Sequence, residues 1–237
     1  MRLIFLVALL MNICLSAAQA EERIALVVGN TVFARAPRIT NAAANADNMT
    51  SALRGLGFDV TEMIDAGDTD LRAAMENFRA RLSAGDAVGL FYYSGYAAQF
   101  EGSNFLLPSD FDSATGHIEA ADVGAAGIPL DDMVGGHQGG GLQIVLLDPA
   151  AVPSGLISDI APGLVTPAPA RNTIVMISAG PIDAAAHQPD ADPVFTDALV
   201  RRLAQPGSSI ATILAEVLTD VVLNTQFRQV PQIVLPA

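Results

Sequence analysis

The sequence predicts an α/β protein with a mainly parallel central sheet and helices on both faces. Short apolar runs bounded by turn residues are typical of strands buried on both faces, and residues 23–29, 87–93 and 143–148 form such runs. Segments with apolar residues at helical spacing alternate with strand-like segments in the first part of the chain. Strands that alternate with helices pair in parallel through right-handed crossovers, which predicts this fold class.

The N-terminal part reads as strand, helix, strand, helix, strand. In chain order, the strands are predicted over residues 23–29, 58–64 and 87–93, and the helices over 41–56 and from a cap at Asp68 or Thr69 to Gly85. Gly57 follows the first helix where a C-cap glycine belongs. We therefore expect the first three strands to lie in one parallel sheet.

The strand at residues 87–93 is the centre of the predicted fold. It is followed by Ser94 and Gly95, where we expect the strand to break. Tyr96 is then predicted to lie just past the carboxyl end of the strand, where open parallel sheets place ligands and catalytic groups. A second such place is predicted after Asp148, the last residue of the strand at 143–148.

The rest of the chain is less regular. We predict an extended piece at 104–108, loops at 109–127 and 149–171, a short helix at 128–134, a strand at 172–178, helices at 193–203 and 208–223, and an extended tail at 229–235. The 237 residues include 51% hydrophobic residues, enough for a full core. No repeat or linker divides residues 21–237, which are predicted to form a single domain.

Residues 1–20 are predicted to be a secretory signal peptide. Arg2 precedes an apolar run, and Ala18-Gln19-Ala20 is typical of a cleavage site. The apolar run is shorter than the roughly 20 residues that span a bilayer, so an N-terminal membrane anchor is the less favoured alternative. We expect a periplasmic or secreted protein that has no membrane contact after cleavage.

Cleavage has two chemical consequences. Cys14 is the one cysteine of the chain and leaves with the signal, so the mature protein has no thiol. Loss of Arg2 changes the formal net charge from −13 to −14. A surface this acidic repels phosphate backbones, so nucleic acid is not an expected partner.

Several motifs, in their order and spacing, resemble the bacterial caspase-like, metacaspase-type cysteine peptidases of family C14. They are, in chain order, RIALVVGN, NAAANADNMTSALRGLGFDV, FYYSGY, NFLLPSD, IVLLD, TIVMISAGPIDAAA and VFTDALVRRL. The resemblance extends from about residue 23 to 231. It implies a caspase-haemoglobinase-like three-layer sandwich and a cysteine–histidine dyad.

The resemblance also implies where the dyad belongs, and both of its members are replaced. The family histidine lies in a Tyr-Ser-Gly-His-Gly motif, whose histidine position is Tyr96 in this chain. The family cysteine lies in an Asp-Ala-Cys-Arg motif, whose cysteine position is Ala150. A thiol peptidase needs a thiolate and usually an imidazolium beside it. Alanine has no nucleophilic atom and tyrosine is a poor base at neutral pH, so we expect an inactive pseudopeptidase with no catalytic residue.

Asp148 is the remaining candidate for substrate binding. The resemblance places it where metacaspase-type peptidases have an acidic residue that helps to bind a basic side chain. Two interpretations remain open: a vestigial pocket for Arg or Lys peptides, or a carboxylate that caps a strand end without a ligand.

Other reactive side chains have no supporting pattern. His117, His137 and His187 lie in loop-like surroundings, and neither Ser94 nor Ser154 lies in a nucleophile-elbow context. Residues 65–70 contain three aspartates but lack the spacing of an EF-hand, so a turn with a helix cap is favoured. The glycine-rich residues 135–141 precede a strand and are interpreted as a flexible loop. We predict no metal site and no cofactor, with calcium as a weak alternative.

Three functional hypotheses follow. The first is a secreted pseudopeptidase that binds a peptide or a protein, with another copy or an active relative as candidate partners through a sheet edge. The second is a hydrolase with relocated catalytic residues. The third is a scaffold kept for assembly alone, which a cleft filled by Tyr96 and Pro149 would favour.

Overall fold

The computed structural model describes residues 22–112, 118–153, 155–178 and 193–236. Its strands are β1 (Arg23–Gly29), β2 (Asp59–Ile64), β3 (Val88–Phe100), β4 (Ser103–Leu106), β5 (Ile118–Glu119), β6 (Ile128–Pro129), β7 (Gln143–Ala151), β8 (Ile157–Ser158), β9 (Thr173–Ile177) and β10 (Gln232–Val234). Its helices are α1 (Ala42–Gly55), α2 (Asp68–Ser83), α3 (Ala120–Ala126), α4 (Asp131–Val134), α5 (Val194–Leu203) and α6 (Ile210–Asn224).

The central sheet has the strand order β10-β9-β7-β3-β1-β2. From β9 to β2 all neighbours are parallel, and β10 pairs antiparallel with β9. Two short strands extend the sheet at one end, because β4 folds back on the last part of β3 and pairs in turn with β6. This order confirms the predicted fold class, a mainly parallel sheet within an α/β protein.

Helices cover both faces of the sheet, as predicted. The apolar side of α2 packs on one face, where residues of β1, β3, β7 and β9 form a buried cluster with it. On the other face, α1, α5 and α6 pack on the alternate residues of the same strands. Strands buried on both faces have continuous apolar runs, as the sequence of these strands indicated.

The two strands that mark the predicted site are longer than expected. The predicted end of β3 at Tyr93 is wrong, because β3 continues through Tyr96 to Phe100. Likewise β7 continues past Asp148 to Ala151. Residues 95–97 pair with residues 149–151, and residues 97–100 pair with β4, so each extension supplies hydrogen-bonding partners that hold the other in place.

The remaining differences concern short elements. Residues 109–127 were expected to be a loop but contain β5 and α3, whose first turn is fixed by a capping box between Glu119 and Asp122. Residues 128–134 form β6 and α4 rather than one helix, because Ile128 and Pro129 pair with β4. The predicted loop at 149–171 begins with the end of β7 and includes β8, which pairs with β5.

The start of α2 differs from the prediction by one residue. Asp68 is the first helical residue rather than the cap, and Gly67 takes the cap position. The carboxylate that accepts the Asp68 backbone N–H is that of Asp110, at 2.8 Å, so the capping oxygen comes from a distant part of the chain. Within the part of the chain that the structure describes, no helix is both long and apolar enough to cross a membrane.

Candidate functional site

The two positions singled out by sequence lie next to each other on the central strands. β3 and β7 are parallel neighbours in which Ser94 is paired with Asp148 and Tyr96 with Ala150. Register partners share a face of the sheet, so all four side chains lie on one face. Nearer the amino ends of β3 and β7, the same face is covered by α1 and α5. The two positions therefore lie side by side within the strands, and not beyond the carboxyl ends of the strands as the sequence predicted.

Tyr96 is packed into the protein. Its side chain is 1% exposed, its ring meets the Phe33 ring edge-on with centroids 4.7 Å apart, and its hydroxyl donates to the Pro37 carbonyl at 3.0 Å. Burial raises the pKa of Tyr96 to about 12, so the phenol stays protonated at neutral pH. A protonated phenol bonded to a backbone carbonyl has no basic atom to offer a substrate.

Ala150 lies in the same apolar environment, where it is 7% exposed. The buried members of this cluster, which we call the Tyr96 cluster, are Phe33, Ile39, Ala42, Tyr96, Ala98, Phe105, Leu107, Phe111, Ile118, Val123, Ala150 and Ile157. Among the described residues, the cavity beside Tyr96 has a volume of only about 10 Å³. A space of this size holds at most one water molecule, so this cavity cannot take a peptide side chain.

Asp148 ends a chain of hydrogen bonds that runs out of the core. Thr196 on α5 donates its hydroxyl to Asp148 Oδ2 at 2.7 Å, and the Asn45 amide of α1 lies 3.5 Å from the same oxygen. Since the Thr196 proton is committed to Asp148, the buried Tyr92 hydroxyl donates to Thr196 Oγ1 at 2.6 Å. Burial first, and then the Asp148 charge, raise the pKa of Tyr92 well above its ordinary value.

This arrangement defines what Asp148 can do chemically. The donors described for it are a hydroxyl and an amide, both neutral, and its side chain is only half-buried. These two donors orient the carboxylate. Because β7 continues to Ala151, Asp148 does not lie at a strand end and cannot cap one. The geometry is compatible with a carboxylate that has no ligand and with one that binds a basic group.

Two polar residues whose roles the sequence did not predict hold the loops around the site. Asn30 is fully buried at the end of β1, where it accepts from the Ala66 N–H at 2.9 Å and its own backbone N–H donates to the Ser94 carbonyl at 2.8 Å. Asp65 follows β2, and its Oδ1 accepts from the backbone N–H groups of Thr31 at 2.6 Å and Val32 at 2.9 Å. Burial opposes ionisation of Asp65, but these bonds outweigh it and hold the pKa below the ordinary range. The only signal in the sequence was an Asn or Asp directly after a predicted strand, which is common in loops.

The other histidines, serines and aspartates that the sequence analysis considered lie outside the described residues, lie away from Tyr96, or have structural roles. His117, His187 and Ser154 fall outside the described residues. His137 precedes β7 and so lies toward the opposite end of the sheet from Tyr96, while Ser94 is buried in β3 beside Asp148. Asp68 pairs with Arg72 at 2.6 Å. The described residues contain no group of three or more His, Cys, Asp or Glu side chains able to hold a metal ion.

The glycine-rich residues 135–141 pack closely on the end of α2 and the start of β3. A Cβ at Gly141 would lie 1.9 Å from the Ala87 carbonyl oxygen, and one at Gly139 would lie 2.2 Å from the Leu82 and Gly85 carbonyl oxygens. These glycines allow a close backbone approach. Residues 135–141 form a loop, as predicted, and its glycines allow that loop to pack against α2 and β3.

Comparisons with known proteins agree with this fold. The family model described as caspase domain (Peptidase C14) matches residues 22–236. The chain is 30% identical over 91 residues to the human mucosa-associated lymphoid tissue lymphoma translocation protein 1, and 29% identical over 91 residues to its mouse homologue. In each case the match covers 38% of this chain and 11% of the relative.

Among solved structures, the chain resembles the one described as the structure of pro-sf-caspase-1. The TM-score is 0.62 at 16% sequence identity, and the match covers 91% of this chain and 92% of the other. At this level of identity the likeness concerns the fold alone.

Proposed function

Because the chain belongs to the caspase-domain family, and alanine and tyrosine stand at the positions that the family resemblance assigns to cysteine and histidine, we propose that it is a caspase-like pseudopeptidase. In this proposal the protein acts by binding a protein partner in the cell envelope and hydrolyses no peptide bond. The curated relatives share only a short stretch with the chain, so their names supply no activity or partner for it.

One observation carries the proposal: the Tyr96 cluster fills the face of the sheet where Tyr96 and Ala150 meet. A hydrolytic site needs a nucleophile, a base within hydrogen-bond reach of it, and space for the scissile bond. At Ala150 there is no nucleophilic atom, at Tyr96 the phenol is bonded to Pro37, and the adjoining cavity is about 10 Å³. Loss of a nucleophile or base costs on the order of a millionfold in turnover.

In a binding protein, the Asp148 carboxylate would form part of the binding surface. Its half-buried carboxylate is oriented by Thr196 and Asn45 and lies beside the filled end of the sheet. A basic side chain of a partner is the group that this carboxylate would attract. The cell-envelope location rests on the predicted signal at residues 1–20, and N-terminal sequencing of the exported protein should find cleavage after Ala20.

Activity and binding can be tested on the same protein. We expect the purified chain to give no turnover above background with a panel of fluorogenic Arg, Lys and Asp peptides, with or without calcium. We expect an Arg peptide to bind, and Asp148→Asn to weaken that binding about tenfold or more, since the variant removes the charge and keeps the shape.

Asp132→Asn is the matched control, because Asp132 is an exposed carboxylate on α4. It should bind the Arg peptide as the original chain does. Turnover that survives repurification and is lost in Asp148→Asn would overturn the pseudopeptidase proposal. Absence of both turnover and peptide binding would leave assembly through another surface as the function of the scaffold.

A further inference from the structure

Residues 135–141, which we call the glycine loop, lie against the carboxyl end of α2 with almost no space between the two backbones. A Cβ at Gly139 would lie 2.2 Å from the Leu82 carbonyl oxygen. Hydrogen bonding between loop and helix is weak by comparison, because the Gln138 N–H lies 3.5 Å from Ser83 Oγ, at the limit of a hydrogen bond. Among the described residues, close packing is thus the main contact that holds the loop closed on the helix.

The glycine loop contains a single titratable side chain, His137, whose ring is poorly placed to carry a charge. Both ring nitrogens are buried, and neither has a hydrogen-bond partner within the described part of the chain. A neutral imidazole has one N–H donor and an imidazolium has two. Protonation in the closed loop therefore adds a second buried donor without an acceptor, and a buried charge without a counterion, both of which are unfavourable.

The charged side chains on the elements around the glycine loop do not compensate for this burial. They are Arg79 and Arg81 near the end of α2, Asp86 before β3, Asp131 and Asp132 on α4, and Arg171 before β9. Burial lowers the pKa of His137, the Gly141 backbone partly opposes this effect, and none of these charged side chains contributes. The neutral ring is therefore the form that the closed loop favours.

We propose that the glycine loop is an acid-opened latch, which is closed on α2 while His137 is neutral and is released when His137 takes up a proton from solvent. Opening exposes both ring N–H groups to water, from which the closed loop shields them. Since the loop leads into β7, its release also uncovers the start of the strand that contains Asp148 and Ala150. The latch goes beyond the proposed function and does not depend on it.

The direction of the pH effect follows from proton binding to the closed and the open loop. A group whose pKa is lowered in the closed state binds more protons in the open state, so acid favours opening. The stability of the closed loop is fully present above the ordinary histidine pKa of about 6.5 and is lost as pH falls from there through the lowered pKa.

Hydrogen exchange of the full chain, followed by mass spectrometry, measures the opening of the latch. After correction for the intrinsic pH dependence of exchange, amides of residues 82–87 and 135–142 should exchange severalfold faster at about pH 5 than at neutral pH. Amides in the central part of β1 should show no such change. A corrected exchange rate in the loop that does not rise in acid would overturn the proposal.

Variants assign the response to His137. His137→Phe keeps a ring and removes both nitrogens, so its loop should stay closed in acid and be at least as well protected at neutral pH as that of the original chain. His137→Gln should likewise lose the acid response. His117→Gln and His187→Gln make the same chemical change at the other two histidines and should open normally. Acid opening that persists in both His137 variants, or is lost in a control, would overturn the proposal.

An NMR titration of the original chain tests the latch without any variant. The His137 ring signal, assigned through the loop backbone, should titrate with the same midpoint as the amide signals of residues 135–141. Different midpoints for ring and loop would overturn the proposal. The competing outcome is tighter closure, because the carboxyl end of a helix attracts a cation, and an imidazolium that turned toward the Leu82 carbonyl would slow exchange in acid. Slower exchange would also overturn the latch.

Discussion

At the scale of single residues, Gly95 shows how a packing constraint can resemble a turn signal. A Cβ at position 95 would lie 2.5 Å from the Tyr93 hydroxyl oxygen. That hydroxyl is within hydrogen-bonding distance of the Tyr96 carbonyl at 2.7 Å and the Leu107 carbonyl at 2.9 Å. It cannot move away without weakening these buried contacts, so glycine is needed inside a continuous strand.

This contact predicts an energetic coupling between Gly95 and Tyr93. Gly95→Ala should lower the free energy of unfolding by about 1–3 kcal/mol, as expected for overpacking. Its cost should shrink in a Tyr93→Phe background, because the nearest clashing atom is then absent. Urea unfolding of the two single variants and the double variant measures the coupling.

Gly85→Ala is the control for the glycine substitution itself. No heavy atom lies within 4 Å of a Cβ built at Gly85, so that variant should be nearly neutral. If Gly95→Ala is as mild as Gly85→Ala, the contact with Tyr93 does not explain the glycine.

Residue-level prediction selected Tyr96 and Ala150 through their motifs, and the register of β3 and β7 places these two residues side by side. It failed where the role depends on a distant partner: Asn30 and Asp65 are used by segments that lie more than thirty residues away. No local pattern marks such bonds, because the two groups become neighbours only after the strands pair.

At the scale of elements, the end of α6 is built with residues that do not favour its geometry. The Gln226 N–H donates to the Leu223 carbonyl at 3.1 Å and the Phe227 N–H to the Val222 carbonyl at 2.8 Å, the two bonds of a Schellman motif. Gln226 has φ of 52° and Phe227 has φ of 63°. Left-handed backbone costs a non-glycine residue roughly 1–2 kcal/mol.

Gln226→Gly should therefore stabilise the protein. The gain should be about 1 kcal/mol, because glycine reaches this φ without strain but loses more entropy on folding. Gln226→Ala removes the same side chain and keeps the Cβ, so it should give no such gain. Chemical unfolding of both variants provides the measurement, and equal stability of the two would show that strain at this position is not relieved by glycine.

Long elements were predictable and short ones were not, for a physical reason. The strand of residues 23–29 was predicted with its observed bounds, and α1, α5 and α6 lie within two residues of prediction, since each buries a periodic apolar side. In contrast, β6 and β8 are two-residue strands that exist because β4 and β5 pair with them. The extension of β3 and β7 has the same origin in pairing between strands.

At the scale of the whole molecule, the layered fold followed from the alternation of apolar runs and amphipathic segments. This alternation does not predict the filling of the carboxyl end of the sheet, that is, which side chains pack there. That filling depends on Phe33 and Phe111, which come from loops, and on Ile118 of the short strand β5, and none of the three belongs to the central strands. The Tyr96 cluster is thus a property of the assembled molecule.

The net charge also acts on the whole molecule. The formal net charge is −13, from 25 acidic and 12 basic residues, so the folded state brings many like charges together. This repulsion opposes compaction. The ion pairs of the described residues act in the other direction, and the best formed joins Arg202 on α5 to Asp220 on α6 through two contacts of 2.7 Å.

We expect repulsion to dominate, so that added salt stabilises the protein. Exposed ion pairs contribute about 0–1 kcal/mol each and are weakened by the same screening, whereas the excess of acidic charge is spread over the molecule. The midpoint temperature of unfolding in EDTA should rise as NaCl is increased from low ionic strength. The rise should become smaller as pH is lowered toward the isoelectric point, where the excess charge disappears. A fall in midpoint temperature with salt at neutral pH would mean that pairs such as Arg202–Asp220 outweigh the general repulsion, and Arg202→Met would then remove that fall.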